Sequence, residues 1–284
     1  MEETVRAAVV QMNTTDHVEA NVATALELVA EAVGRGARLV VLPEKFHYLG
    51  DPEGVAWAKE SLDGPLLGSC AAVAREHGIF LVAGSIWEHE GEDGRPYNTS
   101  VVFAPDGSRL SYYRKIHMFD VDVGGHSYRE SEECRAGDEV VAVPLDDVGP
   151  ILGLSICYDL RFPELYRALA EMGAQIVSVP AGFTMVTGRD HWEVLLRARA
   201  IENQVFVLAA NQYGREGRGL ESYGRSVIVD PWGVVLACVP DGEGVAVADL
   251  DMGTLARVRR MLPSLANRAP GAYGNRRSKR RLDT

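Results

Sequence analysis

A chain of 284 residues, 46% hydrophobic and 24% charged, suits one large α/β domain and excludes a fibrous repeat or a disordered polypeptide. Its net charge of -11 repels phosphate backbones and anionic lipid, so neither nucleic acid nor a membrane is expected as a partner. The acidic start Met1-Glu2-Glu3, the lack of a membrane-length apolar run, and four scattered cysteines without a C-x-x-C pair point to a cytoplasmic protein with reduced thiols and no metal site.

Apolar runs rich in β-branched residues recur along the chain, at Val5 to Gln11, Leu39 to Leu42, Ile79 to Ala83 and Val101 to Phe103. With helical segments between them they read as alternating α/β structure. The second run leads into Pro43-Glu44, and a carboxylate at the end of a buried strand is a candidate base, although a glutamate there is more often a cap or turn residue. Beyond the turn Pro105-Asp106-Gly107, a strand starting near Leu110 ends at Lys115, a position where lysine is usually a solvated edge charge.

The run Ile151 to Ile156 ends in Cys157, and Pro163-Glu164 suit the first turn of a helix just beyond. Cys157 thus stands at a strand-to-helix corner, where a nucleophile projects and the next backbone N–H groups face any oxyanion. A lone cysteine is more often a small buried side chain, and that role is expected of Cys70, Cys134 and Cys238. Ser155 lacks the final glycine of a serine-hydrolase elbow and reads as a buried strand residue. Gly214, Gly217 and Gly219 have the wrong spacing for a dinucleotide loop and read as a turn. His117 and His191 are expected to donate hydrogen bonds near the site, and Arg197, Arg199 and Glu202 to form a buried ion-pair network.

The two halves resemble each other. Gly36 to Phe46 matches Gly173 to Phe183 at an offset of 137 residues, and Ser100 to Gly107 matches Ser226 to Gly233 at an offset of 126, which also carries Ile79–Ala83 onto Val205–Ala209. Each half therefore reads strand, helix, strand, helix, strand and hairpin. Two such sheets, each with helices on one face, are expected to stack through their other faces as a four-layer α-β-β-α sandwich with pseudo-twofold symmetry. Glu44 corresponds to Ala181, so the duplicated fold does not itself require a carboxylate there.

Taken together, Leu42-Pro43-Glu44, Tyr113-Arg114-Lys115-Ile116-His117 and Ile156-Cys157-Tyr158-Asp159-Leu160-Arg161-Phe162-Pro163-Glu164 resemble the glutamate, lysine and nucleophile motifs of the carbon-nitrogen hydrolase (nitrilase) superfamily. The likeness is nearest to its Nit and omega-amidase-like branch and extends through His191-Trp192-Glu193 and Leu195 to Gln204 as far as Arg268 and Tyr273. It implies one carbon-nitrogen hydrolase domain over 1–274, with 275–284 a tail carrying five basic residues against Asp283. It also implies a cofactor-free amidase with Cys157 as nucleophile, Glu44 as base and Lys115 with the Tyr158 N–H as oxyanion donors. Glu130 maps onto the family's second glutamate, with Glu132 and Glu133 as neighbours that compete for the assignment.

The resemblance further implies a small amide substrate, such as an ω-amide of a dicarboxylic or keto acid, with Arg161, Phe183, Thr184 and Thr187 as pocket candidates. A homodimer or larger even assembly is expected on the same ground. Lys45 and Ala136 depart from the family pattern and bear on that pocket. A nitrilase or N-carbamoyl hydrolase with the same three residues is the rival within enzymology, and a non-catalytic interaction protein on this scaffold is the rival outside it.

Overall fold

In the computed structural model, which describes residues 4–89, 94–146, 149–215, 217 and 221–273, Val5 to Gln11 lies within a strand, β1 (Thr4–Gln11). Met1 to Glu3, Gly219 and the basic tail lie outside the described residues. From β1 the chain passes through α1 (Val18–Gly34), β2 (Leu39–Val41), α2 (Pro52–Ala58), α3 (Pro65–His77), β3 (Phe80–Val82), β4 (Ile86–Glu88), β5 (Tyr97–Phe103) and β6 (Arg109–Arg114). A hairpin of β7 (Asp120–Val123) and β8 (His126–Arg129), followed by the short helix α4 (Glu130–Glu133), leads into the second half.

That half runs through β9 (Ala142–Pro144), β10 (Ile151–Leu154), α5 (Pro163–Glu171), β11 (Ile176–Ala181), α6 (Met185–Asn203) and β12 (Phe206–Asn211). A small hairpin, β13 (Tyr213–Arg215) and β14 (Glu221–Tyr223), precedes β15 (Val227–Val229) and β16 (Val235–Cys238). The chain then returns to the first sheet as β17 (Gly244–Asp251) and continues into α7 (Met252–Met261) and α8 (Pro270–Tyr273).

Among the described residues the main sheets have seven and six strands, and their orders correspond: β17-β1-β2-β3-β5 with β6 on β5, and β9-β10-β11-β12-β15-β16, the seventh strand of the first sheet being β4, which also pairs with β5. Both edge partners, β17 on β1 and β9 on β10, are antiparallel, while the three inner strands of each sheet run parallel. Even the register is duplicated. Leu39 pairs with Phe80 and Ile176 with Phe206, which are the two sequence offsets combined in one rung. The turns agree as well, since Gly107 and Gly233 take φ of 83° and 86°, a conformation that favours glycine in each reversal.

Period-two alternation sorts the side chains of β1. Ala7 and Val9 join the core between the sheets, with Leu39, Val41, Leu154 and Val179, whereas Ala8 and Val10 pack under α1 and α3. Helix α1 supplies Asn21, Ala25, Val29 and Ala32 at helical spacing to that outer layer, and α5 and α6 cover the second sheet through Leu165, Leu169, Trp192, Leu196 and Ala200. The four layers are those expected of the repeat.

Three sequence expectations need correction. Cys70 and Cys134 are buried, but Cys238 is exposed because β16 is an edge strand whose Val235 and Leu236 also face outward. Arg199 is buried and pairs with Glu202 at 2.8 Å, whereas Arg197 lies on the surface, pairing with Glu193 at 3.5 Å and donating to the Gly233 carbonyl. Gly214 sits within β13 rather than in a turn.

Candidate active site

The ends of parallel strands in open α/β sheets are where ligand sites form, and here the C-terminal ends of β2, β10 and β11 meet across the two sheets. Glu44 leaves β2, Lys115 follows β6, Cys157 follows β10, and Gly182 follows β11. Together with Glu130, the first residue of α4, they line a cavity of about 350 Å3, a size that suits a small organic molecule.

Cys157 adopts φ of 48°, a strained conformation for a side chain with a Cβ, at the start of a one-turn 3-10 segment that runs to Arg161. Asp159 fixes that turn. Its buried carboxylate accepts from the Ile156 N–H at 2.9 Å, the Tyr113 hydroxyl at 2.7 Å and the His117 N–H at 3.1 Å, with the His117 ring nitrogen at 2.7 Å. Tyr113 and His117 flank Lys115 by two residues on either side, so this one carboxylate joins the lysine strand to the cysteine corner.

The charges form an alternating chain. Lys115 Nζ lies 2.6 Å from Glu130 Oε2 and 3.1 Å from Glu44 Oε1, while Lys45 Nζ lies 3.3 Å from Glu130 Oε1 and 4.0 Å above the Trp87 ring. Asn98, on β5, donates from Nδ2 to Glu44 Oε1 at 2.7 Å and to Glu130 Oε1 at 3.3 Å, and the Gly182 N–H donates to Glu44 Oε2 at 2.8 Å. Two ammonium groups thus face two carboxylates inside the protein.

Burial and neighbours set the protonation of these groups. Burial pushes the Cys157 thiol well above its ordinary range, Glu44 beside it adds to this, and Lys115 only partly opposes it, so the resting group is a thiol that needs a base. For Lys115 burial works against the charge, but Glu130 and Glu44 outweigh it and keep the side chain an ammonium. Burial likewise works against the Glu130 carboxylate, and the charges of Lys115 and Lys45 overcome it and hold the group far below the usual carboxylate range. Lys45 is raised by Glu130 in the same manner. A neutral thiol next to a carboxylate, with a fixed ammonium nearby, can be deprotonated on attack and have the resulting oxyanion held.

Of the sequence candidates, Glu44, Lys115, Cys157, Glu130, Tyr158, Phe183, Thr184 and Thr187 all line the cavity. Glu130 rather than Glu132 reaches Lys115; Glu133 lines the wall. Arg161 does not line it: its guanidinium sits 5.1 Å from the Phe183 ring centroid and 3.3 Å from His191 Nδ1. Lys45, flagged only as a departure from pattern, lines the cavity. Asn98, Asp159 and the Gly182 N–H were not singled out, nor was the β7–β8 hairpin, which brings His126, Ser127, Tyr128 and Arg129 to the mouth.

A family model described as carbon-nitrogen hydrolase matches residues 6–260. The chain belongs to the carbon-nitrogen hydrolase family. It is 42% identical to the deaminated glutathione amidase of Bos taurus over 274 residues, covering 94% of this chain and 83% of that protein. To the omega-amidase NIT2 of Danio rerio it is 39% identical over 274 residues, covering 94% and 96%. Among solved structures, the C. elegans NitFhit protein superposes with a TM-score of 0.88 at 36% identity, over 98% of this chain and 68% of that one.

Proposed function

We propose that this hydrolase cleaves the carbon-nitrogen bond of a small amide, an ω-amide of a dicarboxylic or keto acid, through a thioester on Cys157. The observation that carries the reading is the convergence of Glu44, Lys115 and Cys157, drawn from both halves of the chain, on one cavity of small-molecule size. The names of the relatives, a deaminated glutathione amidase and an omega-amidase, support the substrate class.

Glu44 takes the proton of the Cys157 thiol as sulfur attacks the amide carbon. Negative charge moves to the amide oxygen, where the Lys115 ammonium and the Tyr158 N–H receive it; one such donor typically contributes about a hundred- to thousandfold in rate. The proton on Glu44 passes to the departing nitrogen, the carbon-nitrogen bond breaks, and ammonia leaves a thioester. Glu44 next takes a proton from water as its oxygen attacks the thioester carbon, and the thiol is restored as the acid departs. Glu130 anchors Lys115 throughout, and Phe183, Thr184 and Thr187 contact the rest of the substrate. These steps use no metal or nucleotide.

The domain extends over 1–274 with the basic tail 275–284 outside it. The acidic charge and scattered cysteines favour a cytoplasmic location without nucleic acid or membrane partners. An even homo-oligomer is supported by exposed apolar side chains on α6 (Val194 and Ile201) and on the β15–β16 hairpin (Trp232, Val234 and Leu236), two elements that meet where Ile201 packs beside Gly233.

An ammonia-release screen over ω-amides, nitriles and N-carbamoyl compounds tests the reading. Release from ω-amides first is the expected result. Preference for nitriles would make the protein a nitrilase, and no release from any compound would leave a non-catalytic scaffold.

A further inference from the structure

Asn98 lies outside the three hydrolase motifs yet contacts three members of the charged cluster. Its Nδ2 donates to both Glu44 and Glu130, and its backbone carbonyl accepts the Lys115 N–H at 2.9 Å, because β5 sets it directly across from Lys115. Three residues far apart in the chain meet on it.

The side chain is wholly buried, yet its Oδ1 has no hydrogen-bond partner. Most buried amides are paired at both ends; Asn203 and Gln204 also leave an oxygen without a partner, but they donate to the backbone carbonyls of Arg199 and Leu262, whereas Asn98 donates to two carboxylates of the cavity cluster. The repeat supports this. At the offset of 126 the counterpart of Asn98 is Gly224, which lies just before β15, so the repeat builds its strand pair with no amide at this place. A lysine or arginine in this place would add a third cation, whereas an amide donates to carboxylates without changing the charge.

We propose that Asn98 is a positioning residue for the reaction: its amide fixes the Glu44 carboxylate between Lys115 and Cys157 and holds Glu130 against the same lysine. The proposal rests on the amidase reading above. Asn98 does not line the cavity, so it acts on the base and not on substrate affinity.

The test compares wild type with Asn98→Ala, Asn98→Ser and Asn98→Asp, using the best amide of the screen and circular dichroism to confirm folding. Asn98→Ala is expected to lower kcat by about ten- to hundredfold with KM changed less than about threefold, the size of losing one donor to a buried charge. Asn98→Asp is the sharper probe. Ionised, the new carboxyl faces Glu44 and Glu130 as a third anion; protonated, it donates an O–H in place of the amide. Its kcat relative to wild type is therefore expected to rise as pH is lowered from about 8 to about 6.

An unchanged kcat in Asn98→Ala, a change confined to KM, or a pH-independent ratio in Asn98→Asp overturns the proposal. Where the alanine protein does not fold, the serine and aspartate proteins decide. Should wild type release ammonia from nothing, the amidase reading fails on its own. The rate of Cys157 alkylation by iodoacetamide, which needs no turnover, then decides for Asn98: slower in Asn98→Ala supports it, and an equal rate overturns it.

Discussion

Replacing Glu130 with glutamine removes one charge and little volume from the buried cluster, and the structure gives the size of the effect. Glu130 accepts from four donors: Lys115 Nζ at 2.6 Å, the Phe119 N–H at 2.9 Å, and Lys45 Nζ and Asn98 Nδ2 at 3.3 Å each. A carboxylate has acceptor capacity on both oxygens; an amide presents one oxygen and one NH2. Whichever way it is turned, its NH2 meets an ammonium. Two cations would then share the single carboxylate of Glu44. Breaking a buried pair in this manner costs about 3–5 kcal/mol, and at about 2–4 °C per kcal/mol for a chain of this size the melting midpoint should fall by roughly 10 °C.

Turnover should fall further than stability implies. Lys115 loses its shortest anchor, and a displaced oxyanion donor is worth about a hundred- to thousandfold. The assay is ammonia release under saturating substrate at a temperature well below the variant's midpoint, beside thermal unfolding. Glu132→Gln is the control, because Glu132 is exposed on the same short helix and should change stability by less than about 0.5 kcal/mol. Wild-type kcat and an unshifted midpoint in Glu130→Gln, or equal losses in the control, would refute the argument.

Limiting iodoacetamide should inactivate the protein in step with modification of Cys157, and Glu44→Gln should slow that modification while leaving the exposed Cys238 reacting at its original rate; peptide mapping reads both, and parallel slowing at the two sites would count against Glu44 as base. Asp159→Asn should lower kcat by about ten- to hundredfold and stability by about 2–3 kcal/mol, since an amide cannot accept from Tyr113, Ile156 and His117 together; kinetics equal to wild type would remove Asp159 from the positioning of Cys157. His47 is buried with its Nε2 near the Ala58 carbonyl, and burial lowers its pKa from 6.5 to about 4. The unfolded chain therefore binds more protons between these values, so the stability present above about pH 6.5 falls as pH drops toward 4, by about 3 kcal/mol in all. Urea titrations of His47→Gln should lack this component, and curves parallel to wild type would show that another group governs acid unfolding.

The sheets were legible because most of their inner strands are short β-branched runs and because the chain states its architecture twice: two offsets suffice to derive the rung in which Leu39 pairs with Phe80 and Ile176 with Phe206. Glu44, Lys115 and Cys157 were legible because each sits within a few residues of a strand end, where backbone direction is already fixed. Asn98 was hidden by a local irregularity. Phe103 pairs with Arg109, and a regular count back from the turn sets Asn98 opposite Arg114; the bulge between Val102 and Phe103 shifts the register by one and brings it to Lys115. The β7–β8 hairpin was missed because its two strands are only four residues each, with Val121, Val123 and Tyr128 partly buried between exposed polar residues. Arg161 misled because a residue four beyond Cys157 is carried around a 3-10 turn, out of the cavity and toward His191.

The division of labour between the halves follows from the same symmetry. Glu44, Lys45 and Asn98 face Ala181, Gly182 and Gly224 across the duplication, so the first half holds the charges and the second half holds small residues where they would stand. Those small residues have a use. The Gly182 N–H donates to Glu44 Oε2, so the second sheet contributes backbone to orient a carboxylate of the first, and it brings Cys157 to the same carboxylate. Neither sheet carries Glu44, Lys115 and Cys157 together. The cluster therefore assembles only when the apolar faces carrying Ala7, Val9, Leu154 and Val179 are stacked, and the burial that stabilises the sandwich also keeps Cys157 a thiol, which in the proposed mechanism is why a base such as Glu44 is required.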